Sequence, residues 1–289
     1  MLFLALSIIC STLLVVIFKL FQQYGVDSLR GIVVNYLVCT LTGLLMMDNH
    51  EIFYELPKWK GLPYCIVLGM SFIVIFTLLA KTAEKMGVTV ASVAQKICFV
   101  IPVIVAILLY GDHINIYKVI GIICALASVY FISSTKHGDN KPQESIFKHL
   151  ALPAMVFFGS GFCDSMFNYI QKNFFVEEYK HPINILIFFT AFVFGVILVI
   201  AKKQYQFTKK DVLGGILLGI PNYFSLYFLL LALEKSGLES SRLYPINNIG
   251  VVGLSALTGL LLFKEKFPLP KVLGLVLALS SIIIFLKFA

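Results

Sequence analysis

The chain is poor in charge: Asp, Glu, Lys and Arg make up 13% of its 289 residues, against 59% hydrophobic residues and a mean hydropathy of +0.93. A soluble globule of that composition would expose too much apolar surface, so a soluble fold is excluded. No GxxxxGK[ST] loop is present to hold a nucleotide phosphate, and neither HExxH nor GxSxG is found. The five histidines (His50, His113, His137, His149, His181) are scattered near loops, and the six cysteines (Cys10, Cys39, Cys65, Cys98, Cys124, Cys163) contain no CxxC. Neither a metal site nor a disulfide framework follows from them, and no cofactor is implied. The net charge of +8 comes from single or paired basic residues between apolar runs, which fits membrane topology and not nucleic acid.

What remains is a succession of apolar runs. Ten are long enough to approach a bilayer's thickness: Leu2 to Phe18, Ile32 to Met47, Leu62 to Leu79, Val88 to Leu109, Val119 to Ser133, Leu150 to Ile170, Ile183 to Ala201, Val212 to Leu233, Leu243 to Phe263 and Val272 to Phe285. The first has no basic leader, so it reads as a retained span and not a signal peptide. Lipid cannot satisfy free backbone groups and the runs are too long for barrel strands, so an all-α polytopic bundle is predicted. The hydrophilic segment 135–149 divides it into residues 1–134 and 150–289, five spans each.

The halves read as a duplication. Cys10 and Lys19 match Cys163 and Lys172 at a separation of 153; Gly69, Glu84, Lys85 and Gly87 match Gly219, Glu234, Lys235 and Gly237 at 150; Lys118, Gly121, Ala125 and Ser128 match Lys271, Gly274, Ala278 and Ser281 at 153. An odd number of spans per half inverts the second copy in the membrane, an arrangement that suits alternating access around a midplane site. The bias of Lys and Arg, taken alone, puts both termini outside the cytoplasm of a cell-membrane protein.

Lys96 lies well inside the fourth run, where a lysine costs roughly 2.5 to 3.5 kcal/mol on insertion scales and calls for a partner, a wet cavity or a function. It is taken as the anchor of a solute site with Gln95. Snorkelling to an interface or a purely structural pair are the plainer readings. In the sixth run Ser160, Asp164 and Asn168 follow at i, i+4 and i+8, with Gln171 near the end, one helical stripe. Asp164 is the natural partner for Lys96, as a coupling or gating contact or as a static pair. In the ninth run LYPINNIG offers Tyr244, Asn247 and Asn248 beside Pro245, where a distorted helix is expected; the asparagines bond either a solute or a neighbouring helix. Arg242 stands at the cavity mouth or serves as an interfacial anchor. Pro102 in the fourth run and Pro221 in the eighth are further expected kinks, the latter beside Asn222 and Tyr223. Phe53, Tyr54, Trp59, Tyr64, Tyr205 and Phe207 read as an interfacial belt.

Two half-repeats carry a resemblance: EKMGVTVAS at Glu84 to Ser92 and EKSGLESSR at Glu234 to Arg242, each opening a long span. Those spans close on Tyr110, Gly111, Asp112 and on Phe263, Lys264, Glu265, and a KxxG start follows at Lys118 and Lys271. In this arrangement the chain resembles the drug/metabolite transporter superfamily, its EamA-type ten-helix members. The resemblance implies a carrier whose cavity is lined by the third, fourth, eighth and ninth helices with help from the first and sixth, the fifth and tenth being peripheral. It also implies cytoplasmic termini, against the charge bias. The expected function is secondary transport of a small organic solute, an amino acid or related carboxylate, by export, from a monomer or homodimer. A cation or multidrug efflux carrier, an intramembrane lipid-modifying enzyme and a solute sensor are the competing readings.

Overall fold

The computed structural model describes residues 1–47, 56–110, 115–133, 146–174, 180–236 and 240–288. Eleven α-helices account for ten spans: α1 Leu2–Tyr24, α2 Ser28–Leu45, α3 Leu62–Met86, α4 Val88–Ile97, α5 Val100–Tyr110, α6 Ile116–Ser133, α7 Ile146–Phe174, α8 Lys180–Ala201, α9 Lys209–Lys235, α10 Ser240–Leu261 and α11 Leu269–Phe288. The described residues form no strand. Phe53, Tyr54, Asp112, Gly237 and most of the segment between the halves lie outside them, as do the side chains of Gln171 and Arg242.

The extra helix comes from the fourth span, which is not continuous. Pro102 has no N–H to give the carbonyl of Cys98, and Ile101 N–H takes that carbonyl at 2.8 Å in a tighter turn. The span therefore breaks at Cys98 and Phe99, leaving Lys96 in the last turn of α4 and not at the centre of a long helix. The ninth span, where distortion was expected, stays helical through Pro245, and the eighth through Pro221. Pro245 is only the sixth residue of α10 and withdraws the donor of one bond, the one to Ser241.

Several helices outrun their apolar stretches because caps, not hydropathy, end them. α1 continues past Phe18 to Tyr24 and stops at Gly25, whose φ of 68° is left-handed. Asp27 caps α2 by accepting from Arg30 N–H at 3.0 Å. Thr208 and Asp211 form a reciprocal capping box at the start of α9. Thr208→Ala is expected to cost about 1 kcal/mol, read as a lower thermal unfolding midpoint in detergent.

α9 packs on α1 and α2, α3 packs on α7 and α8, α1 meets α10, and α6 pairs with α11 at the edge. Small residues set the close approaches. A methyl on Gly219 of α9 would lie 2.7 Å from Val38 Cβ and 2.9 Å from the Asn35 carbonyl of α2; one on Gly69 of α3 would lie 2.7 Å from the Ile187 carbonyl of α8. In the α6–α11 pair Gly121 abuts Phe285 and Gly274 abuts Ile132.

One large core joins α1, α2, α3, α4, α7, α8 and α9, and a second joins α3, α4, α5, α6, α7, α10 and α11; both reach the face opposite the termini. Polar clasps tie the same end: Arg30 pairs with Asp211 at 3.2 Å and donates to the Gln206 carbonyl, Lys19 donates to the Glu84 carbonyl at 2.6 Å, Ser28 donates to the Glu84 carboxylate, and Lys271 pairs with Glu265 at 2.7 Å. Lys19, Arg30 and Lys271 are thus packing groups and weak guides to topology. Toward the terminal face two smaller clusters lie apart. Leu4, Ala232 and Leu243 form a cluster of α1, α9 and α10, while Cys65, Leu68, Cys163, Ile170, Ile183 and Ile187 form another of α3, α7 and α8. Lys235 over the Phe3 ring and Trp59 Nε1–H to the Phe174 carbonyl each stay within one cluster.

Candidate functional site

α4 is buried from Val88 to Ala94 and again at Ile97; only Gln95 and Lys96 are partly open. The carboxyl end of this half-helix is thus less enclosed than its body. A lysine there also suits the negative pole of the helix. The Lys96 ammonium makes no ion pair or hydrogen bond with the described residues.

Asp164 and Asn168 of α7 are exposed although they lie on the face of the helix away from its lipid-type stripe of Met155, Phe158 and Phe162. Tyr244 of α10, 39% exposed, likewise points away from the outward stripe of Leu257, Leu260 and Leu261. These groups meet: Asp164 lies within charge range of both Lys96 and Tyr244. The expected direct contact between Lys96 and Asp164 is not made. Asp164 accepts instead from the Cys98 thiol at 3.2 Å, a weak donor set beside the break in the fourth span.

α10 reaches the same place from the other half. Asn248 donates to the Lys96 carbonyl at 3.3 Å, occupying an acceptor that the helix end leaves free. Asn247 is 3% exposed and its side-chain carbonyl finds no partner among the described residues; the same is true of the Ser92 hydroxyl of α4 and the Ser160 hydroxyl of α7. Lys96, Gln95, Asp164, Asn168, Tyr244, Asn247 and Asn248 are thus carried by α4, α7 and α10, of which α4 packs on both of the others.

Asn222 and Tyr223 are elsewhere. Asn222 shares a face of α9 with Gly219 and donates to Asn35 of α2 at 3.0 Å, with Cys39 also turned to Asn35. Tyr223 stacks on Tyr227 and lies against Gly43 and Ile185, at the α2–α8–α9 junction. Arg242 belongs to the first turn of α10.

Sequence reasoning missed a second polar centre. Glu265 accepts from Val88 N–H at 2.6 Å and from the Thr89 hydroxyl at 2.8 Å, so it caps α4 from another part of the chain while paired with Lys271, which is 0% exposed. Both residues were visible only as repeat markers.

Ten helices long and apolar enough to cross a membrane define a multi-pass membrane protein. Residues 1–134 match the EamA-like transporter family. A Haemophilus influenzae protein described as uncharacterized is 24% identical over 289 residues, covering 96% of this chain and 94% of its own length. The match of that half to a transporter family points away from an enzyme.

Proposed function

We propose that the protein is a secondary carrier exporting a small zwitterionic or carboxylate-bearing metabolite, of amino-acid type, by alternating access. The observation that carries this reading is the partly open ammonium of Lys96, without an ion pair among the described residues, at the end of a half-helix buried from Val88 to Ala94. A solute carboxylate placed there meets a cation in a space of low dielectric, where the attraction is strong. Asp164, engaged only by a thiol among the described residues, stands within charge range to receive an amino group. The same carboxylate is the feature that favours cation efflux as the second reading.

Alternating access is supported by reciprocity between the halves. Gly69 of the third span packs on the seventh and Gly219 of the eighth packs on the second, each against a carbonyl, Ile187 and Asn35, that correspond at a separation of 152. Gly121 on Phe285 is matched by Gly274 on Ile132, partners separated by 153 in both directions. Such an arrangement lets one half rock against the other about a shared centre.

The test is ligand-induced thermal stabilisation of the purified protein in detergent, since a ligand of the folded state raises the melting temperature by mass action. Amino acids and carboxylates are expected to stabilise the original chain. The response should vanish in a folded Lys96→Met, equivalent to a loss of about 1.5 to 3 kcal/mol of charge-assisted binding. Asp164→Asn should weaken amino acids and spare monocarboxylates. Stabilisation by cationic drugs alone, retained in Lys96→Met, would replace this reading with cation efflux.

A further inference from the structure

Toward the face opposite the termini α4 lies against α10. Three contacts fix how they meet. Asn248 touches the Lys96 carbonyl, a methyl on Gly259 would lie 2.7 Å from the Thr89 hydroxyl, and Glu265, just beyond α10, holds Val88 and Thr89. Ser92 lies one turn from Lys96 and Thr89 on α4, and Ser255 one turn from Gly259 on α10. Both are 0% exposed and neither hydroxyl has a hydrogen-bond partner among the described residues.

Two hydroxyls unpartnered on facing helices are unusual in a permanent contact, because such groups are nearly always satisfied when buried. Their cost disappears when the helices part and water or solute reaches them. The clasp at the end has the opposite character. The Glu265 carboxylate draws on an amide, a hydroxyl and the Lys271 ammonium, charge-assisted bonds that hold the amino end of α4 in place.

We infer that the α4–α10 seam is the passage by which the centre reaches the face opposite the termini, with Ser92 and Ser255 as its polar lining and Glu265 as its latch. The inference rests on the carrier reading for its purpose, but not for its test. Releasing Glu265 from Val88 and Thr89 frees the amino end of α4 to swing about the break at Cys98 and Phe99. The seam then opens.

The test is thiol labelling at the seam, with no solute required. Ser92→Cys and Ser255→Cys are each reacted in detergent with a bulky charged maleimide, and the adduct is read by mass spectrometry. Trypsin releases residue 92 in the peptide 86–96 and residue 255 in the peptide 243–264, neither of which holds a native cysteine. Both thiols should react slowly in the latched chain. Adding Glu265→Gln should speed the reaction at least about tenfold, the factor set by losing one charge-assisted bond. Thr89→Val, which removes a single bond and keeps the side chain's shape, should give a smaller increase of the same sign. Native Cys39 and Cys65, 0% exposed and away from the seam, should stay slow and so distinguish opening from unfolding. Unchanged rates with both latch variants would overturn the latch, as would Cys39 and Cys65 reacting in step with residues 92 and 255. Either result would leave the response to ligands at Lys96, and with it the carrier reading, to be judged separately.

Discussion

Lys271→Met is expected to destabilise the protein by about 3 to 5 kcal/mol, the usual consequence of stranding one partner of a buried ion pair. Lys271 is fully buried, its ammonium 2.7 Å from Glu265 and 4.5 Å from the centre of the Phe267 ring. Removing it leaves a carboxylate with the Val88 amide, the Thr89 hydroxyl and only the more distant Lys19 ammonium within charge range. Against a typical net stability of about 5 to 15 kcal/mol the loss is severe. Adding Glu265→Gln to Lys271→Met removes the stranded charge and keeps an acceptor for Val88, so the double variant should be more stable than the single. A double-mutant cycle on unfolding midpoints measures the coupling. A double variant no better than the sum of the singles would mean that the pair is not a unit.

A second large effect is expected at the helix crossings. Gly219→Val places new carbon where Val38 Cβ is 2.7 Å and the Asn35 carbonyl 2.9 Å from the first added atom; Gly69→Val does the same against the Ile187 carbonyl and Thr190 Cβ, both at 2.7 Å. Backbone oxygens cannot rotate away, so the helices must separate, at a cost of about 3 kcal/mol for each substitution. Gly253→Ala is the contrast. It meets nothing within 4 Å and replaces the poorest ordinary helix former with the best, so it should be neutral or gain up to about 1 kcal/mol. Thermal midpoints of the three variants, compared with the original chain, decide whether crossing distance or glycine flexibility sets these sites.

The ten spans were legible because hydropathy acts over whole runs, and each run matches a helix or, in the fourth, a broken pair. Their ends were not. Gly25, Asp27 and Thr208 stop or start helices through backbone conformation and side-chain caps that hydropathy does not register. Lys96, Asp164, Tyr244 and Asn248 could be singled out because a polar side chain in an apolar run has few cheap places to go. Asn222 obeyed the same rule and went to a neighbouring helix instead, because Gly219, one turn before it, lets α2 come close enough to supply Asn35. Prolines were ambiguous for a similar reason. Pro102 interrupts its span, while Pro221 and Pro245 lie within unbroken helices. Glu265 and Lys271 were hidden by distance, since Glu265 meets Val88 across 177 residues of chain.

That same distance bears on biogenesis. α4 receives its cap at one end from Glu265 and its carbonyl partner at the other from Asn248, contacts that span 177 and 152 residues. A ribosome adding about 5 to 20 residues per second needs on the order of ten to thirty seconds to supply them. For that interval a short, lysine-bearing segment must be sheltered by the insertion machinery or by the first half alone, so the nascent chain is most exposed to quality control between synthesis of its fourth and ninth spans.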